Sequence, residues 1–267
     1  MIGGVEFELV AALFAVAVVA GCFDAIAGGG GLLTVPALLI AGLDPAAAIA
    51  TNKLQGAAGT VSATVTFARR GLIAWRSALP FAAVAALASV GGALSVRLLP
   101  GRVLDGLVPL LVIGVALYFA TARRMGEQDA QARLPAAAFG LAVVPAVGFY
   151  DGIFGPGAGS FYMVGFVTLL GHGVIKATAH TKLANAASNL GSLGLFAATG
   201  LIVWPLGLAM ALGAVLGAQV GSRLAIRLGA RLIRPLLVAI SCMMALRLLA
   251  NPANPLRQGL AALVGAG

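Results

Sequence analysis

The chain has 267 residues, of which 61% are hydrophobic and only 9% charged, and its mean hydropathy is +1.05. A soluble domain carries about a quarter charged residues, so this composition excludes a core wrapped in a solvated polar shell and indicates an all-α polytopic membrane protein. The formal charge of +9 comes from 14 Arg and 3 Lys scattered between apolar runs, the placement of positive-inside loops rather than of a nucleic-acid surface.

Apolar elements are predicted at about residues 5–26, 32–42, 46–68, 77–96 and 103–122, then 135–150, 158–171, 176–199, 205–226 and 235–250. Glu6 and Glu8 stand where a signal peptide carries positive charge, so the N-terminus reads as the exposed start of the first membrane helix. The longest polar stretch, ARRMGEQDAQAR, separates an N-terminal membrane repeat (1–122) from a C-terminal one (134–267), with 123–133 as a cytoplasmic linker. Cys22 and Cys242 sit in separate apolar segments and are read as packing residues, with no metal-ligand spacing.

The two halves resemble each other. DAIAGGGGLLTVPALLIAGLDPAAAIATNKL, starting at Asp24, aligns with DGIFGPGAGSFYMVGFVTLLGHGVIKATAHTKL, starting at Asp151, with a two-residue slip in the glycine region. Each half then reaches Gly-Leu-Ile and a Trp (Gly71 to Trp75, Gly200 to Trp204), and Pro109–Val112 echoes Pro235–Val238. The second element of each half is too short to be an ordinary helix across a ~30 Å hydrocarbon core at ~1.5 Å per residue. It is expected to be short or re-entrant after its glycine cluster.

Charge placement bears on whether those short elements cross. If they do, and the N-terminus is outside, inner segments hold eleven cations (Arg69, Arg70, Arg76, Arg123, Arg124, Arg133, Lys176, Arg223, Arg227, Arg231, Arg234) and outer ones four (Arg97, Arg102, Arg247, Arg257). If they do not, the split is eight to seven. The positive-inside rule favours crossing. Five crossings per half would invert the repeats relative to each other, as in secondary transporters.

The chemistry-bearing residues cluster in equivalent places. Gly28–Gly31 and Gly155–Gly159 cannot be continuous helix, since each glycine costs about 1 kcal/mol relative to Ala and Pro156 about three. Each cluster precedes an apolar helix, so Gly29, Gly30, Gly31, Gly157 and Gly159 could offer free amides to an anion; a close helix crossing or a kink is the plainer use. Lys53 and Lys182 align, each about two turns into its helix. Buried lysines are functional candidates by default, although snorkelling, or a structural pair with Asp24 or Asp151, would also satisfy them. Asn52 and Gln55 run with Gly59 and Ser62 on one helix face, and Thr178, Lys182, Asn185 and Asn189 on another, beside Thr181. These faces belong to the interior, as pocket lining or as interhelical glue. A coupling proton has three candidate carriers, Asp24, Asp151 and His180. His172 reads as a loop residue beside Lys176, and Tyr150 and Tyr162 either offer hydroxyls to a ligand or anchor at an interface. Gly213, Gly217 and Gly221 repeat every four residues and are assigned, with Gln219, to helix packing.

The strings DAIAGGGGLLTVPALL, ATNKLQGAAGT, GFYDGIFGPGAGSF and HTKLANAASN resemble the TauE/SafE family of membrane permeases, or sulfite exporters, and lie closest to its YfcA-like branch. The resemblance covers nearly the whole chain and implies export of sulfite or organosulfonates across a bacterial inner membrane. Together with the residues, it gives a secondary transporter of a small anion bound near the midplane, in a cavity opened alternately as one repeat rocks against the other, with a lipid bilayer around it. A passive anion channel is the nearer alternative and an intramembrane enzyme the more distant one, since neither a nucleophile–base pair nor a HExxH metal motif is present. No cofactor, metal or nucleic acid is called for, ATP drive finds no GxxxxGK[ST] loop, and a homo-oligomer is compatible with the sequence.

Overall fold

A computed structural model describes residues 6–95, 128–233, 235, 236 and 239. The predicted elements at 103–122 and, but for three residues, 235–250 lie outside these, as do Cys242 and residues 123–127 of the linker. Eight helices are described: α1 (Phe7–Ala27), α2 (Gly31–Ile40), α3 (Pro45–Arg69), α4 (Trp75–Ser95), α5 (Ala136–Ile153), α6 (Ala158–Thr168), α7 (Val174–Ala198) and α8 (Trp204–Leu228). There is no strand among the described residues. The boundaries fall within about three residues of the predicted ones because breakers set them: Asp44 caps α3 by accepting the Ala46 and Ala47 amides, with Pro45 at its first position.

Four helices, α1, α4, α5 and α8, are long and apolar enough to cross a membrane. The 25 residues of α3 and of α7 are long enough too, about 37 Å at ~1.5 Å per residue, but carry polar faces. The short helices α2 and α6, with 10 and 11 residues, rise only about half of a ~30 Å core. Between α1 and α2 the chain breaks at Gly28 (φ 82°) and Gly29 (φ 89°), and between α5 and α6 at Gly155 (φ 96°) and Gly157 (φ 90°), left-handed conformations that glycine alone adopts freely. After the first break α2 folds back along α1, Leu38 packing against Val10, Leu13 and Ala17.

The packing interleaves the two halves. Helices α1, α3 and α8 run in one sense: Gly213, Gly217 and Gly221 of α8 meet Phe14, Val18 and Cys22 of α1 in register. On α3, Thr51 accepts the Val203 N–H that starts α8, and Ser62 meets Gln219 further along. Helices α4, α5 and α7 form the equivalent set. Gly148 and Gly152 of α5 meet the Ala85 and Ser89 carbonyls of α4, while His180 of α7 accepts the Ala74 N–H before α4 and Ser89 donates to the Ser188 carbonyl. Those loop contacts also place the start of α3 beside the end of α7, and the end of α3 beside the start of α7. Helices α3 and α7 therefore run in opposite senses where they pack together. The most extensive helix pairings, α1 with α8, α3 with α8, and α4 with both α5 and α7, each join one repeat to the other.

The Gly213, Gly217 and Gly221 stripe does what its spacing predicts. A methyl group on Gly217 would overlap the Val18 carbonyl oxygen, whereas one on Gly194 meets open space. Gly217→Val should therefore lower the stability of detergent-solubilised protein by about 1–3 kcal/mol, the usual range for overpacking. Gly194→Val should leave the thermal unfolding midpoint within about a degree, since a surface substitution away from any packed contact changes stability little.

Candidate functional site

The two chain breaks touch. A methyl group on Gly28 would lie 2.6 Å from the Gly159 carbonyl carbon, and one on Gly31 3.2 Å from Pro156. Beside this contact lies a narrow cavity of about 30 Å³, room for about two water molecules. Its walls are the breaks themselves (Gly29, Gly30, Gly31, Gly155, Gly157, Gly159), the amides Asn52, Gln55, Asn185 and Asn189, and the carboxylates of Asp24 and Asp151. Neither α2 nor α6 has a side-chain cap, so each starts at the cavity with first-turn amides of partial positive character. Asn52 is held by the Thr34 hydroxyl (2.5 Å) and Asn189 by the Asn185 side chain (3.0 Å). Gln55 is 3% exposed and its Oε1 has no partner.

Lys53 and Lys182 are both fully buried, and each reaches across to the other repeat. Lys53 donates to the Asp151 carboxylate (2.7 Å) and main-chain carbonyl; Lys182 donates to the Asp24 carboxylate (3.3 Å) and main-chain carbonyl. Each aspartate lies in the last turn of the helix before its break. An ammonium there meets both a counter-charge and the negative end of a helix dipole, deep in a chain whose surroundings cannot solvate it. The lysines thus stand behind the carboxylates and do not line the cavity; the carboxylates do. The structural pairing that the sequence left open is the one found, and it crosses between repeats.

The two pairs differ. Both Asp151 oxygens are engaged, Oδ1 by Lys53 and Oδ2 by the Ser188 hydroxyl, and the side chain is 2% exposed. Asp24 accepts the Gly30 amide on Oδ1 (3.0 Å) and Lys182 on Oδ2, with its side chain 16% exposed. Counting six residues on from each lysine, the position of Ser188 is held by Gly59 in the first repeat, which has no hydroxyl to give.

Two candidates stand elsewhere. Thr181 is turned to the Met163 sulfur, while its counterpart Asn52 meets Thr34, the counterpart of Met163: one contact kept with different chemistry. His180 packs edge-on against Phe166 and His172, outside the cavity. Its Nε2 accepts the Ala74 amide, the same bond that its counterpart Thr51 makes with Val203. His172, in the loop before α7, is pushed down to about 4 by burial, with the Lys176 cation adding to the shift and Asp129 opposing it. Asp129 is itself held below the usual carboxylate value by the Gly173 amide and by Lys176, and ties the linker to that loop. Tyr150 and Tyr162 are buried rather than interfacial; the Tyr150 hydroxyl holds the Pro156 carbonyl (2.7 Å) and so braces the second break. Gly56 and Thr60 line the cavity without having been singled out. Repeat alignment carried the signal for both, since Thr60 matches Asn189 and Gly56 matches Asn185.

Removing one member of a buried pair strands the other charge. Lys53→Met should cost about 3–5 kcal/mol of stability, and adding Asp151→Asn to it should recover much of that loss. Unfolding midpoints of the single and double variants in detergent check this.

A family profile described as "Sulfite exporter TauE/SafE" matches residues 13–248. A relative from Sinorhizobium, called "Probable membrane transporter protein ORF9", is 52% identical over 251 residues, covering 94% of this chain and 96% of its own. "Probable membrane transporter protein YfcA" of Escherichia coli K12 is 48% identical over 241 residues, 90% of either chain, and a "Probable membrane transporter protein" of Haemophilus influenzae is 41% identical over 244. No solved structure gives a significant match. With paired glycine breaks, paired lysines and a profile match over most of its length, the chain belongs to the TauE/SafE family of membrane transporters, and is not an enzyme.

Proposed function

We propose that the chain is a secondary transporter that exports small anions, sulfite or organosulfonates, across the bacterial inner membrane by alternating access. The observation that carries this reading is the cavity where two half-length helices start uncapped at mid-chain breaks, among four side-chain amides. Amide donors and helix starts stabilise an anion without a permanent positive charge at the wall. Sulfonate oxygens suit such donors, and the family's printed name points to sulfite.

The topology proposed is two inverted repeats, 1–122 and 134–267. Its support is the opposed sense of α3 and α7 and the equivalence of their loop contacts. The moving bodies are proposed to be the interleaved sets, α1–α3 with α8 and α5–α7 with α4. Both lysine–aspartate pairs bridge these bodies. The cavity holds about two waters, fewer than the four heavy atoms of sulfite, which suits a closed state between two open ones.

Purified wild-type protein should gain thermal stability with millimolar sulfite or methanesulfonate and catalyse counterflow of methanesulfonate in liposomes. Lys182→Met, which leaves the Asp24 carboxylate unpaired at the cavity wall, should weaken binding at least about tenfold, or ~1.4 kcal/mol. Equal stabilisation of both proteins would overturn the anion assignment, and net flux without counterflow would indicate a passive channel.

A further inference from the structure

The two lysine–aspartate pairs occupy equivalent places but are not equally tight. At Asp151, Lys53 holds one oxygen and the carbonyl, the Ser188 hydroxyl holds the other oxygen, and the side chain is 2% exposed. Asp24 has the longer ion pair, 3.3 Å against 2.7 Å, and the more exposed side chain, 16%. Where Ser188 would have its counterpart stands Gly59, which itself lines the cavity. Each oxygen of either aspartate takes one donor, but at Asp24 the second donor is the Gly30 main-chain amide of the break itself, and Asp24 lines the cavity.

We propose that Asp24 carries a proton in company with the transported anion, its protonation handing the Lys182 ammonium over from the carboxylate to the anion. This rests on the anion-transport reading above and assigns its coupling. The balance is simple. A proton from the loading side bonds to the Asp24 carboxylate, the carboxyl becomes neutral, and Lys182 keeps its charge, swings its ammonium from behind Asp24 to the cavity and takes the anion as its new partner. On the far side the anion leaves, Asp24 releases the proton to water, and the original pair re-forms. The Lys53–Asp151 pair stays closed throughout and holds the two helix bodies together while the Asp24–Lys182 latch is open. One proton moves with one negative charge, so a monovalent sulfonate is carried without net charge.

Among the described residues, no other titratable group competes at Asp24. From α7, Lys182 is its partner, Lys176 is paired with Asp129, and His180 is committed to Ala74. From α3, Lys53 is held by Asp151 and Arg69 is exposed; α2 has no ionisable side chain. From α6 there is Tyr162, wholly buried, and from α8 Arg223 and Arg227, both exposed. Asp151 of α5 shares the cavity but brings its own cation.

Methanesulfonate is the probe of choice because it remains a monoanion across the pH range of interest. Wild-type proteoliposomes given a methanesulfonate gradient, with lumenal pH read by a trapped dye, should move about one proton per anion, at a rate unaffected by clamping the membrane potential. Asp24→Asn, which keeps an acceptor for the Gly30 amide, should exchange methanesulfonate, at whatever rate remains, with no accompanying proton movement. Asp24→Glu, which keeps the acid, is the companion variant should Asn fail to fold, and it should restore proton movement. Wild-type exchange without protons, or proton movement that persists in Asp24→Asn, would overturn this assignment alone. No exchange by the wild type at all would overturn the transport reading and this inference with it.

Discussion

An ammonium group buried among apolar helices has to find its counter-charge within the protein, and here it finds it in the other half of the chain. Lys53 belongs to the first repeat and Asp151 to the second; Lys182 and Asp24 reverse the arrangement. Neither repeat could bury its own lysine alone, because a charged side chain at the centre of a bilayer costs about 2.5–3.5 kcal/mol even on the mildest scale. The crossed pairs make the two halves mutually necessary. They also fix where the chain breaks meet, since each aspartate sits one turn before its break.

The small residues serve that same meeting. Carbonyls of α1 lie directly over glycines of α8, and carbonyls of α4 over glycines of α5, so helices from different repeats approach until backbone touches side-chain-free backbone. Without an apolar driving force between helices in lipid, such close contact is what holds them. Two interleaved sets of helices result, and the seam between them combines the crossed ion pairs with an apolar cluster that includes Ile26 and Phe67 from one set and Phe81 and Phe166 from the other.

Much of this was legible in the sequence because breakers and repeats are local signals. Glycine runs and the Gly-Leu-Ile–Trp turns locate the helix ends, and the repeat alignment marks the aspartates and amides around the cavity and the lysines paired behind them. What could not be read is which lysine meets which aspartate, since spacing along one helix says nothing of the helix across from it. The lysines, read from the sequence as candidates for the anion, stand behind the aspartates that line the cavity. His180 and Thr181 lie away from the cavity for a similar reason. They neighbour Lys182 in sequence, but adjacent residues on a helix point about 100° apart, and theirs face Ala74 and Met163.

The departures from symmetry carry as much as the symmetry. Where a contact is structural, the repeats keep it and change only its chemistry: Thr51 and His180 both receive the amide before a tryptophan, and Thr34 with Asn52 becomes Met163 with Thr181. At the ion pairs the repeats keep the lysine and change the second donor, the Ser188 hydroxyl at Asp151 and the Gly30 main-chain amide at Asp24. The Asp24 pair is the longer, and its side chain the more exposed. A duplicated fold can thus keep both buried charges paired while leaving one pair more open than the other.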